Sequence, residues 1–305
     1  MKKVFFFLCL FCVALSISAY GKCSNSHKRP RANHVVIIGV DGWGSFGLDS
    51  IDMPNIRTAM ADGCYTLKKR TVLPSISGPN WNTMFCGAPA EMTGYINNTF
   101  DPTLPPLYAN DHGRYPTVFD EIRAQYPDVE IGCVAEWSTV PTILDPANFS
   151  YSKKARPADI GSRAVVEESC KYILEEKPDL LLIHIDQVDH AGHQYGYGSP
   201  EYFNTVHLVD GYIGDIEQAM KDAGIWDDSI LIITSDHGGI NKTHGGTSMR
   251  EMETPFVIRG KGVRKSEVID APMMNYDVAA VIADVFRVKH PSYWRCRSMD
   301  VFKKK

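Results

Sequence analysis

Four short, almost wholly apolar runs most narrowly limit what this chain can fold into: residues 34–40 (HVVIIGV), 129–135, 180–185 and 230–234. A strand with one solvated face alternates apolar and polar residues, so a run without alternation must be covered on both sides. Helix-length segments at 117–125, 162–176 and 199–223 precede the last three runs. Alternating strand and helix predicts an α/β fold, a three-layer sandwich whose central sheet is mostly parallel. No repeat, low-complexity tract or composition shift interrupts it, and residues 34–302 read as a single domain. The stretch 97–116, rich in Asn, Pro and Gly, reads as a long surface loop.

The N-terminus is set aside from this reading. A basic start, Met1-Lys2-Lys3, precedes an apolar stretch to Ala14, and Ala19-Tyr20-Gly21 offers a cleavage site. Residues 1–21 therefore read as a secretory signal peptide, with 22–33 a polar linker, and the protein is expected to be secreted or periplasmic. Cys23 is a weaker candidate for lipid anchoring, since Lys22 precedes it. The apolar stretch falls short of the ~20 residues a transmembrane helix needs. Six cysteines remain after residue 21, at positions 23, 64, 86, 133, 170 and 296. Their spacing holds no CxxC pair, which argues against a cysteine-bound zinc, and sequence cannot choose among disulfide pairings. A formal net charge of −4 argues against a surface that coats nucleic acid. Residues 303–305 are a short basic tail.

Acids and histidines gather just past the apolar runs. Asp41 follows the first, Asp186, Asp189, His190 and His193 follow the third, and Asp236 and His237 follow the fourth, with His244 close behind. Ligands of open α/β sheets bind at the carboxyl ends of strands, so three segments deliver Asp and His to one rim. Taken singly, Asp41-Gly42 is a turn signal and His193 an ordinary surface histidine. Together they form a set suited to zinc, in sites with three protein ligands and an open position. A further segment, Pro74-Ser75-Ile76-Ser77-Gly78-Pro79-Asn80, opens a helix, with Pro79 in its first turn. Ser77 then sits where free backbone N–H groups favour a phosphate, although Ser75 or Ser77 could also simply cap the helix.

In order and spacing, blocks 35–42, 73–102, 185–214 and 230–260 resemble the type I phosphodiesterase/nucleotide pyrophosphatase branch of the alkaline-phosphatase superfamily. That resemblance implies an alkaline-phosphatase-like sandwich holding two divalent metal ions, most simply zinc. One would be held by Asp41, Ser77, Asp236 and His237, the other by Asp189, His193 and His244. It further implies Ser77 as nucleophile and Asn98 as the group gripping a phosphate oxygen, with Asn80 structural. The substrate would be a small phosphate ester or pyrophosphate, cleaved through a phosphoserine.

Two departures bear on specificity. Family members acting on nucleotides carry an aromatic residue directly after the nucleophile, where this chain has Gly78. Sulfatases of the superfamily need an Arg where Trp81 stands. Phosphomonoester or phosphonate hydrolysis is the alternative within enzymes, sulfate ester hydrolysis is less favoured, and an inactive exported metal- or ligand-binding protein is the alternative outside them.

Overall fold

The computed structural model describes residues 29–154 and 162–304. The expected signal peptide, Cys23 and the last lysine of the tail lie outside the described residues. Eight strands form one sheet: β1 (His34–Val40), β2 (Gly63–Arg70), β3 (Ile131–Ala135), β4 (Tyr151–Lys154), β5 (Leu180–Ile185), β6 (Ser229–Thr234), β7 (Glu253–Gly260) and β8 (Glu267–Val268). Their order is β4-β3-β5-β1-β6-β7-β2-β8. The four apolar runs are β3, β5, β1 and β6, paired in parallel at the centre.

Period-2 alternation in β1 shows why these runs carry few polar residues. Val35 and Ile37 pack into one buried cluster with the helices Ser77–Cys86, Val118–Gln125 and Asp277–Phe286. Val36, Ile38 and Val40 enter a second cluster with the helices Pro54–Ala61, Arg163–Glu176 and Pro200–Asp222. Each fully buried aliphatic side chain contributes about 1.5–3 kcal/mol, so a polar residue facing either layer would be costly. The three-layer sandwich with a mostly parallel sheet is thus the observed architecture.

The strands absent from the sequence expectation are β2, β4, β7 and β8. β7 runs antiparallel between β6 and β2. Its Thr254-Pro255 opening interrupts the apolar pattern, and β2 ends in Lys68-Lys69-Arg70. Lys69 is nonetheless fully buried, its Nζ donating to the Ser235 carbonyl and to Asn275 Oδ1, both at 2.7 Å. Residues 97–116 contain neither helix nor strand, as a surface loop would. Among the described residues the five cysteines are free thiols. No described helix is long and apolar enough to cross a membrane.

Candidate active site

Strands β5, β1 and β6 lie side by side in register, with Gly39 opposite both His184 and Thr234. Whatever follows each strand therefore emerges at one rim in the middle of the sheet. Asp41 directly follows β1, Asp236 and His237 leave the end of β6, and Asp189 and His193 share a face of the helix Gln187–Tyr195 after β5. His244 arrives on the loop after β6. The helix Ser77–Cys86 brings its first residue to the same place.

Two clusters result. In the inner one, Asp41, Asp236 and His237 are buried to 1% exposure or less. Ser77 Oγ lies 3.1 Å from His237 Nε2 and 3.4 Å from Asp41 Oδ1. His237 Nε2 is also 3.3 Å from Asp236 Oδ2 and 3.4 Å from Asp41 Oδ1. In the outer cluster His193 Nε2 is 3.3 Å from Asp189 Oδ2 and 3.1 Å from His244 Nε2. The rings of His237 and His244 stack at 3.8 Å and join the two clusters.

Each of these imidazoles is held in the same way. Nδ1 of His237 faces the Gly238 carbonyl at 2.8 Å, Nδ1 of His193 the Lys242 carbonyl at 2.9 Å, and Nδ1 of His244 the Ser75 carbonyl at 3.0 Å. A carbonyl fixes the proton on Nδ1 and leaves the Nε2 lone pair pointing into the cluster, the arrangement that metal-binding histidines use. Asp236 Oδ2 is buried without a hydrogen-bond partner, while Oδ1 accepts from the Gly42 N–H at 3.1 Å. Burial, and then repulsion from Asp41, push its carboxyl up to about 8. Converging lone pairs, an orphaned carboxylate oxygen and mutually repelling acids are what a cation would resolve. The donor set fits metal ions.

Close approach at this rim explains one glycine. Gly42 has φ 70°, and a Cβ there would lie 2.7 Å from Asp189. Burial alone would raise Asp189, but the His193 hydrogen bond and the His237 and His244 charges hold it well below the usual carboxylate range.

Of the serine pair, neither caps the helix Ser77–Cys86, whose N-cap is Ile76. Ser75 Oγ donates to the Gly246 carbonyl at 2.7 Å and accepts from the Gly245 N–H at 3.1 Å, tying down the loop that carries His244. Asn80 is buried and structural, its Nδ2 donating to the carbonyls of Val72, Pro74 and Ile76 at 2.9–3.2 Å. Asn98 is exposed, and its Oδ1 accepts from the Gly78 N–H at 2.7 Å. With the oxygen engaged, Nδ2 remains as the donor end of this amide.

Residues 35–276 match the family model for type I phosphodiesterase/nucleotide pyrophosphatase. The chain belongs to that family. Human ectonucleotide pyrophosphatase/phosphodiesterase family member 5 is 25% identical over 257 residues, covering 78% of this chain and 50% of the relative. The bovine bis(5'-adenosyl)-triphosphatase ENPP4 is 20% identical over 225 residues, 71% of this chain and 49% of the relative. This chain thus spans about half the length of the curated relatives it matches. The solved structure of murine family member 5 superposes with a TM-score of 0.72 at 16% identity, covering 88% of this chain and 100% of that one. A 2-O GAG sulfatase superposes with a TM-score of 0.70 at 14% identity, covering 89% and 73%. Both likenesses show the alkaline-phosphatase-like fold.

Within the phosphodiesterase family frame, three features of the rim escaped the sequence expectation. His184, on β5, lies 3.1 Å from Asp41 Oδ2. Trp81 Nε1 donates to the same oxygen at 2.8 Å. The Tyr197 hydroxyl donates to Asp189 Oδ1. A signal for the first existed: a lone imidazole among buried aliphatic residues needs a polar partner.

Proposed function

We propose that this chain is an exported two-metal hydrolase of phosphodiester or pyrophosphate bonds, its catalytic domain spanning residues 34–302 and Ser77 its nucleophile. The observation that carries the reading is the Ser77 hydroxyl at a helix N-terminus, 3.1–3.4 Å from His237 and Asp41. In the proposal Asp41, Ser77, Asp236 and His237 hold one zinc ion, and Asp189, His193 and His244 the other. Such ions lower the pKa of a coordinated hydroxyl and neutralise charge on both the attacking and leaving oxygens. The chain supplies the rest. Ser77 Oγ bonds to phosphorus as the ester oxygen departs with its electron pair. Asn98 Nδ2 holds a non-bridging oxygen. Water then enters from the side of Asp189, His193 and His244 and cleaves the bond between Ser77 Oγ and phosphorus, releasing the remaining phosphomonoester and restoring the serine hydroxyl.

The choice of diester over monoester rests on charge. A monoester dianion favours cations beyond the two metals, and residues 73–102 hold no Arg or Lys. Of the two distant cations, Lys242 and Arg250, the second is engaged elsewhere: its guanidinium lies 4.1 Å over the Phe46 ring and donates to the Tyr197 carbonyl. Neutral Asn98 suits a singly charged phosphate. Nucleotides are a weaker expectation, because a side chain at position 78 would meet the Asn97 carbonyl at 2.7 Å and Asn98 Oδ1 at 2.9 Å. The loop occupies the space where family members acting on nucleotides place an aromatic ring. The murine relative has been solved in complex with AMP, which keeps a nucleotide in the substrate panel.

The test is kcat/KM on bis-(p-nitrophenyl) phosphate, p-nitrophenyl phosphate and p-nitrophenyl sulfate, with zinc saturating. The expected order is diester, monoester, sulfate. Ser77→Ala should abolish turnover and retain zinc, while Ser75→Ala costs far less. A preference for the monoester removes the diesterase reading. Full activity in Ser77→Ala removes the nucleophile.

A further inference from the structure

Asp41 presents its two carboxylate oxygens to different surroundings. Oδ1 faces the reacting groups, 3.4 Å from both Ser77 Oγ and His237 Nε2. Oδ2 faces the protein, where Trp81 Nε1 lies at 2.8 Å and His184 Nε2 at 3.1 Å. Asp41, Trp81 and His184 are all buried to 1% exposure or less. The Trp137 N–H meets His184 Nδ1 at 3.5 Å, which leaves Nε2 as the nitrogen that donates to Asp41. The indole and imidazole rings pack edge to face with centroids 4.9 Å apart, so each restrains the other.

We propose that Trp81 and His184 are positioning residues that hold Asp41 by Oδ2 and thereby aim Oδ1 at the metal and nucleophile. A carboxylate on a strand end rotates about χ2 with little resistance. Two donors on one oxygen remove that freedom and leave the other oxygen as the ligand. Placement of the donors follows from the fold. Trp81 stands four residues after Ser77 on the same helix, so one rigid element fixes both the nucleophile and the carboxylate beside it. His184 comes from β5, whose register with β1 sets it opposite Gly39. Gly39 in turn makes room for the indole, since a Cβ there would lie 2.4 Å from a Trp81 ring carbon. Nothing about Trp81 or His184 is a metal-ligand signal in the sequence. Their role is visible only in which oxygen they touch.

The inference rests on the two-metal reading above, and the experiment separates the two. Zinc binding to the purified wild type and to Trp81→Phe, His184→Leu and His184→Gln is measured by competition with a chromogenic chelator, with circular dichroism as the check on folding. Trp81→Phe keeps a ring and loses only the donor, so it carries the test even where His184→Leu fails to fold. Outer-shell partners of metal ligands are worth about 10- to 100-fold in affinity, so Trp81→Phe and His184→Leu should weaken one zinc equivalent by that factor and the other by no more than about twofold. His184→Gln restores an N–H donor near the Nε2 position and should bind within about threefold of wild type. Two zinc equivalents bound unchanged by Trp81→Phe and His184→Leu, or both equivalents weakened alike, would overturn the positioning role. A third wild-type equivalent lost in His184→Leu would make His184 a ligand and overturn it as well. A wild type that takes up no zinc overturns the two-metal reading first and this inference with it.

Discussion

The two Asp/His clusters use the same side-chain types in opposite surroundings. Asp41, Asp236 and His237 sit on strand ends, sealed from water. The side chains of Asp189, His193 and His244 are 13%, 45% and 9% exposed and are carried by a helix and a loop. A sealed cluster takes its geometry from the sheet and carries the full desolvation cost of its acids. An open one lets water in and is adjustable. This division suits a reaction whose first step needs an aimed serine and whose second needs solvent.

Replacing one imidazole in each cluster should separate them most strongly. His237→Gly and His193→Gly should each lower kcat/KM, the former by about a thousandfold or more. Free imidazole should restore much of the His193→Gly loss, because that side chain faces solvent, and none of the His237→Gly loss. Equal rescue of both would erase the distinction between sealed and open.

Gly78→Phe tests how little spare space the sealed side has. The new side chain must displace Asn97 and Asn98, so kcat/KM on every ester should fall by about 10- to 100-fold, as small misplacements of binding groups do. A variant that instead gained activity on nucleotide substrates would show that the loop yields and that position 78 still forms a base-binding wall.

The smallest effect concerns stability. In the metal-free protein Asp236 titrates near 8, far above its unfolded range. A folded pKa raised in this way makes the unfolded state the stronger acid, so stability falls as pH rises from the ordinary carboxylate range to about 8. Asp236→Asn removes that slope, and at pH 8 the metal-free variant should be more stable than metal-free wild type by about 1–2 kcal/mol. Asp189→Asn should destabilise instead, because Asp189 is held low by its partners. Thermal unfolding of both variants across pH checks the pair of signs.

The same sealed-versus-open contrast explains what could be read from the residues alone. Central parallel strands announce themselves because burial on both faces disfavours polar residues. The Asp and His residues just past their ends follow directly, and so does the rim. The antiparallel β7 and its neighbour β2 stayed hidden because Pro255 and a buried Lys69 break the pattern that marks a strand. His184 and Trp81 stayed hidden for a different reason. Sequence position says which residue faces a layer, not which oxygen of a neighbour it touches.

The contact between Gly39 and Trp81 also orders the routes by which this chain can change. Any side chain added at 39 collides with the indole, so a larger residue there is accepted only after 81 has become smaller. The reverse order is closed. Drift at the centre of the sheet must therefore begin on the helix that carries the serine, where a first step already disturbs Asp41. Selection on the site thus also protects a glycine inside a strand that never touches substrate.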